Sequence, residues 1–510
     1  MSSLPSYVAA AKPVPAANRA SWLKTIAPTY AGIMLWFVFW QDIVNGGGAT
    51  GGFPGGVLSA GIGTALLGVV IAALICHVLF YLVPGMLGMK TGLPLYVVGT
   101  STYGVVGGFF MPGFLMGLLQ FGWLAVNAFA VAKLLCECFG LPAAAPSLSH
   151  GVIAAVFTVV CAFVGLKGIQ YVAKVATFLP LIPLVVLIVL VVKTAGGLGS
   201  FDPAKTALEP APAATTAAVA ADVAGETPKA AAKGGTTIAG PGRLALTPWA
   251  VIAILSTYIV GFFATAGAAG TDIASNGRNS SDVQLGGLGG IALATIISGG
   301  LALLIVAGAY GSGMVHGKML GELNPVTLMK GAILSEGTAN IIMILLAISS
   351  FPAACFSAFI AANSFKTTLP QVNPFISVGL GTLAAVVLAV TGVVAKVIWV
   401  FVLIGASFGP VCGAMVADYL LSGRKWAGPR AGFNPAGWIS WIVGFAVGAF
   451  NLVVKLAAEW SPNLAPKLAD VQNLIPAPPV AAFLVGFVLY IVLAKIGLQS
   501  RTLEMPGAAK

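Results

Sequence analysis

The chain has 510 residues, of which 58% are hydrophobic and only 8% charged, with a mean hydropathy of +1.00. An ordinary soluble domain carries about 25% charged residues, so composition alone excludes a soluble globular protein. The formal net charge of +11 is scattered over short loops beside apolar stretches, with no basic run interleaved with aromatics. That excludes a nucleic-acid binder and fits a multi-pass membrane protein.

Residues 1–25 hold no compact apolar core ahead of a small-residue cleavage site, so they read as a short cytoplasmic tail rather than a removable signal. An apolar helix needs roughly 20 residues to cross the hydrocarbon core, and that ruler predicts about twelve spans. They begin near Ile26, Val57, Val105, Gly151, Val172, Trp249, Leu285, Ala339, Phe375, Val397, Gly437 and Val480, with the boundary at 391–396 the least distinct. Arg19, Lys24, Lys90, Lys167, Arg278, Lys366, the cluster Arg424, Lys425 and Arg430, and Arg501 all fall on one side if spans alternate. The positive-inside rule then places both termini in the cytoplasm of a cell inner or plasma membrane. Lys205, Lys229, Lys233 and Arg243 lie opposite, in a long loop of little weight in that rule.

The first span, Ile26 to Val44, contains Gln41 and Asp42 and runs into NGGGATGGFPGG. Polar groups and broken backbone at membrane depth are costly unless they line a protected cavity, so this segment reads as one wall of a solute pathway. Asp42 either carries a coupling proton or bonds a substrate N–H, or it is a solvated helix end. In the third span, LLQFGWLAVNAF, Trp123 and Asn127 lie four apart on one helical face, a flat apolar platform beside an amide that both donates and accepts. The same pair could equally pack and bond a neighbouring helix.

Residues 195–247, rich in Ala, Pro, Thr and Gly, cannot bury a core and read as a flexible external loop. This loop divides the chain into a first block of five spans, residues 26–194, and a second, residues 248–421. Two further helices occupy residues 422–499 and a tail residues 500–510. That count is the one expected of a five-plus-five inverted repeat with two appended helices. The sixth span, STYIVGFFATAGAAGTDIASNGR, crowds small residues at its middle, so the opening span of each block is irregular. Interruptions at corresponding places in two repeats point to a transporter's site.

The cysteines, mostly inside apolar segments, form no disulfide framework or zinc pattern; Cys136 and Cys138 are a lone C-x-C at a helix end. His77 lies inside the second span, as a packing residue or a proton relay. No nucleophile motif, phosphate loop or metalloprotease pattern stands out, so neither enzymatic activity nor an organic cofactor is expected.

Four stretches, APTYAGIMLWFVFWQ, KTGLPLYVVGTSTYGVVGG leading into FGWLAVN, VGFFATAGAAGTDIASNGR and FGPVCGAMVADYLL, together resemble the nucleobase:cation symporter-1 family, the cytosine permease and hydantoin transporter group. The resemblance covers the core from about Ala27 to Leu421. It implies an all-α LeuT-type fold, with solute held near the bilayer midplane between spans one, three, six and eight. By resemblance, Trp123 is the stacking aromatic of the third span and Asn127 the amide one turn on. Phe263 is the second stacking aromatic, commonly Trp in the family, and Gln41 is the polar residue of the broken first span. Ser357 falls at or next to a substrate-facing amide. A sodium site would take the carbonyls of Phe37 and Trp40 with Ala347 and Ser350; Phe351 stands where the family can have a second hydroxyl, and a one-residue shift restores Ser349 and Ser350 as a pair. The coupling ion is thus Na+ or H+. Asp272, Arg278 and Asp418 resemble structural or gating positions.

The resulting expectation is a symporter working by alternating access on a small, flat, largely uncharged nitrogen heterocycle, a nucleobase such as cytosine or a purine, or a hydantoin. The alternatives are the same fold carrying an amino acid or a thiamine-precursor pyrimidine, a passive channel, or a non-transporting sensor.

Overall fold

In a bilayer every backbone N–H and C=O needs a partner within the protein, which leaves helices as the way across for a chain this apolar. A computed structural model of the protein describes residues 4–46, 55–167, 178–206, 246–315, 320–369 and 371–505. Among these, ten helices are long and apolar enough to cross a membrane. Two further spans complete the expected dozen, one short and one broken.

The first repeat opens with the broken span α1 (Ile26–Met34) and α2 (Phe37–Gln41). It continues with α3 (Ile62–Thr91), α4 (Leu115–Cys138), α5 (Leu148–Lys167) and α6 (Leu181–Thr194). The second opens with α7 (Pro248–Ala268) and α8 (Gly270–Ala274), followed by α9 (Ser280–Gly311), the pair α10 (Glu336–Ser349) and α11 (Phe351–Thr368), α12 (Pro374–Val390) and α13 (Val397–Leu421). Two appended helices, α14 (Pro435–Trp460) and α15 (Pro478–Lys495), pack on α13 and on each other. This is the LeuT-type arrangement of five plus five spans and two more. The expected start of the fifth span at Val172, the glycine run over residues 47–54 and most of the long loop, residues 207–245, lie outside the described residues.

The indistinct boundary between the ninth and tenth spans is a real turn. α12 stops where Gly392 takes φ +75°, a left-handed conformation that favours glycine after a helix end, and α13 starts five residues later.

Burial sorts the helices into centre and rim. Of the apolar stretches, 72% is buried in α7 and α9 and 83% in α13, against 33% in α14, whose Ile442 and Val453 stay exposed as lipid-facing surface. α7 meets α13 at Gly261, where a Cβ would stand 2.7 Å from the Phe401 carbonyl oxygen, so the missing side chain permits the close approach. The two ends of the molecule are called here the Asp42 end and the Asp418 end.

At the Asp418 end a buried polar knot ties the appended helices to the first repeat. Asp418 on α13 accepts hydrogen bonds from Ser101 Oγ at 2.6 Å, Tyr490 Oη of α15 at 2.8 Å and Arg430 at 3.0 Å. Arg430 also donates to the Ser101 and Ser500 carbonyls, and Asn434 to the Thr102 carbonyl. Every charge in the knot is paired and hydrogen-bonded, the condition under which buried ions are tolerated. The N-terminal segment packs at the same end: Tyr7 donates to the Val105 carbonyl, and Arg19 to that of Met89 at 2.8 Å.

Candidate functional site

Two helix breaks and one loosened turn build the site. In the first span, Trp36 takes an extended backbone, φ −59° and ψ 131°, between α1 and α2. In the sixth, the helix loosens at Ala269, which stays right-handed at φ −62° and ψ −8° and keeps its helical bonds to Thr265 and Ile273. In the eighth, α10 ends at Ser350 and α11 starts beside Pro352, which lacks the N–H a continuous helix would use. The freed backbone groups find side-chain partners, as a non-aqueous setting demands. The Trp40 indole N–H donates to the Leu35 carbonyl at 3.0 Å, and Tyr258 Oη donates to the Phe39 carbonyl at 2.6 Å. The Trp36 indole N–H crosses to Ser350 Oγ at 3.1 Å, which couples the breaks of the first and eighth spans.

Between these breaks lies a partly open cavity. α1 and its break supply Ile33 and Trp36, and α4 supplies Gln120, Trp123 and Asn127. α7 supplies Phe262 and Thr265, with Ala269 and Ile273 at and beyond its loosened turn; α11 adds Phe356, Ser357 and Ile360. No charged side chain is in this lining.

One wall is aromatic. Trp36 stacks near Phe262 with centroids 6.1 Å apart at 24°, and Trp123 meets Phe262 edge-on at 5.1 Å. Behind them Phe39, Tyr258 and Phe401 complete the cluster, with Phe39 4.8 Å from Phe262 and Phe401 5.3 Å from Trp123. Trp123 is further fixed by its indole N–H, which donates to Thr265 Oγ1 at 3.0 Å. Asn127 is buried in the lining, yet its Oδ1 accepts no hydrogen bond. A buried carbonyl oxygen without a partner costs stability.

Of the residues expected from sequence, the structure brings Trp123, Asn127 and Ser357 together on the cavity. Ser357 Oγ donates to the Ala353 carbonyl of its own helix at 3.3 Å. Phe263 is elsewhere: one residue turns about 100° on a helix, so Phe262 faces the cavity while Phe263 is fully buried against Tyr30, centroids 5.7 Å apart. Gln41 ends α2, and neither it nor Asp42 is in the lining. Asp42 accepts side-chain hydrogen bonds from Gln41 and Asn45 and faces Lys133 of α4, a polar cluster at one end of the molecule.

Phe37 and Trp40 are buried in α2. Ser349 and Ser350 cap the end of α10, both donating to the Leu346 carbonyl, at 2.7 and 3.2 Å. Their hydroxyl oxygens keep lone pairs, but Ser350 already accepts from Trp36, and Ala347 can offer only its backbone carbonyl. Asp272 accepts from the Leu95 N–H at 3.1 Å, Arg278 pairs with Asp282 at 2.8 Å, and Asp418 belongs to the knot; none of the four lines the cavity. His77 stacks on Tyr81 at 5.9 Å, away from the lining, and Cys138 Sγ donates to the Asn340 carbonyl. Among the described residues no group of three or more His, Cys, Asp and Glu side chains gathers.

Sequence reasoning missed Trp36, Gln120, Phe262 and Thr265. Gln120 was legible in principle, seven residues before Asn127 and so on the same face of α4. Trp36 was not, since nothing in the chain marks a break made by indole hydrogen bonds rather than by glycine.

No family model matches the chain, and no curated protein matches it in sequence. Solved structures do match. The inward-facing conformation of Mhp1 aligns with a TM-score of 0.59 at 15% identity, over 96% of this chain and 95% of that one. Mhp1, a nucleobase-cation-symport-1 family transporter, in a closed conformation with bromovinylhydantoin bound gives 0.58 at 15% identity, over 98% of both chains. The chain has the fold of Mhp1. A manganese transporter of Eremococcus coleocola gives 0.52 at 13% identity over 95% and 97%, so the fold shared with Mhp1 also carries other solutes.

Proposed function

We propose that the protein is a secondary active symporter that imports a small, flat, uncharged nitrogen heterocycle, a nucleobase or a hydantoin, by alternating access coupled to Na+ or H+. The observation that carries this reading is the cavity between the paired breaks: an aromatic wall of Trp123, Phe262 and Trp36, an unpartnered acceptor on Asn127, and no charge in the lining. A flat ring gains dispersion and quadrupole contact from such a wall, and its N–H satisfies Asn127. An amino acid would bring two charges into a lining that offers neither a partner, and a manganese ion would find no carboxylate there.

The Trp36 to Ser350 bond joins the two spans on which a Na+ site would draw, at the breaks where carbonyl and hydroxyl oxygens concentrate. Ion binding there would favour one state of the first span and solute binding another, which is the thermodynamic content of coupling. On this reading both termini are cytoplasmic and the Asp42 end faces outward.

The test is thermal-shift screening of purified protein against nucleobases, hydantoins and amino acids, with and without Na+. The reading expects stabilisation by one of the heterocycles and none by amino acids. Stabilisation by amino acids alone would overturn it.

A further inference from the structure

Two carboxamides, not one, face the cavity from α4. Gln120 and Asn127 are seven residues apart, two helical turns, which puts them on one face about 10 Å apart along the axis with Trp123 between. Asn127 sits toward the Asp42 end of that stripe and Gln120 toward the Asp418 end, since Lys133 in the last turns of α4 faces Asp42, whereas Val105, ahead of the helix start, donates its N–H to the carbonyl of Arg430 in the Asp418 knot.

The other polar side chains of the lining are already engaged. Thr265 accepts from Trp123, and Ser357 donates to its own helix. Gln120 is 95% buried, yet its Nε2 has only the thioether of Met116, at 3.4 Å, a weak acceptor one turn back on the same helix. A buried amide held by so poor a partner is exchanged readily for a better one. Around it the lining is apolar, with Ile273 and Ile360 in the same cavity, so Gln120 is the polar group on offer at that end.

We infer that Gln120 is a specificity-determining residue that reads a hydrogen-bonding arm projecting from the solute ring toward the Asp418 end. The inference rests on the heterocycle reading and deepens it. The ring lies at Trp123 with an N–H toward Asn127, and a bare single ring is too short to reach both amides. The preferred solute is therefore a heterocycle whose substituent carries donors or acceptors, rather than an unsubstituted base or one with an apolar arm.

The hydantoin ring, present in the Mhp1 complex, gives a matched probe set: hydantoin as the ring alone, allantoin as the ring with a polar ureido arm, and 5-benzylhydantoin as the ring with an apolar arm. Binding of each to the full-length purified protein is measured for wild type, Gln120→Leu, Gln120→Asn and Trp123→Ala. We expect wild type to prefer allantoin, and Gln120→Leu to weaken allantoin about tenfold while changing hydantoin by less than about twofold and favouring 5-benzylhydantoin, the loss expected of one hydrogen bond. Gln120→Asn, which keeps the amide but shortens it, should fall between, and it takes over the same criterion if the Leu variant does not fold. If the probes bind wild type and lose affinity in Trp123→Ala, but the Gln120 variants weaken all three alike or none, the arm-reading role is overturned and the heterocycle site stands. If none of the three binds wild type, the hydantoin form of the heterocycle reading falls, and the role of Gln120 with it.

Discussion

At the residue scale the decisive contrast is between polar groups that are satisfied and Asn127 Oδ1, the member of the cavity lining among several buried polar atoms that lack a partner. Thr265, Ser350 and Asp418 each have defined partners, whereas Asn127 Oδ1 has none. Replacing a satisfied group strands its partner, and replacing an unsatisfied one strands nothing. Asn127→Leu should therefore change the stability of the unliganded protein by no more than about 0.5 kcal/mol, yet lower heterocycle affinity about tenfold or more. A large loss of stability in that variant would show that Asn127 holds the helices together instead. Trp123→Ala should cost more binding, since stacking of a base on an aromatic ring is worth about 1–3 kcal/mol by alanine substitution. Saturable uptake should disappear while expression persists.

At the element scale, function follows from where helices stop. Ser350→Ala removes the acceptor of the Trp36 indole N–H at the joined breaks of the first and eighth spans. A buried donor left without a partner costs about 1–3 kcal/mol, so the thermal midpoint should fall, and Ser350→Thr, which keeps a hydroxyl, should recover part of it. If the same hydroxyl serves the coupling ion, Ser350→Ala also flattens the dependence of uptake on Na+. Equal stability of Ser350→Ala and wild type would show that the indole finds another acceptor.

How much of this was legible in the chain depends on which force sets each element. Span number and the five-plus-five count come from hydropathy, which the bilayer enforces over some twenty residues at a time, and they were readable. Trp123, Asn127 and Ser357 were also readable, because the spacing of Trp123 and Asn127 on α4 and the family resemblance pointed to them. The position of the first break was not: the polar pair Gln41 and Asp42 and the glycines after Asn45 stand at the end of the span, and no residue type marks Trp36 as the point where its helix parts. The chain parts at Trp36, where tryptophan and tyrosine side chains satisfy the freed carbonyls. The choice between Phe262 and Phe263 turns on about 100° of helix rotation, which a run of two phenylalanines does not encode.

At the scale of the whole molecule, the appended helices are clamped to the second repeat by the Asp418 knot and by the packing of α15 on α13. Asp418→Ala would leave Arg430 buried and unpaired, a loss of about 3–5 kcal/mol, whereas replacing both by apolar residues of similar size should be milder. Thermal unfolding of the single and double variants in detergent checks this; a single variant as stable as wild type would remove the knot from the account. The knot lies apart from the cavity, so variants that still fold should keep their solute preference.

The central claim is that the cavity between the paired breaks drives gradient-coupled transport of an uncharged heterocycle. Uptake of labelled nucleobases and hydantoins into proteoliposomes, under imposed Na+ or H+ gradients, tests it most directly. The account predicts saturable accumulation above the bath concentration, lost when the gradient is collapsed and lost in Trp123→Ala. Equilibration without accumulation under every gradient, or undiminished accumulation in Trp123→Ala, would contradict it.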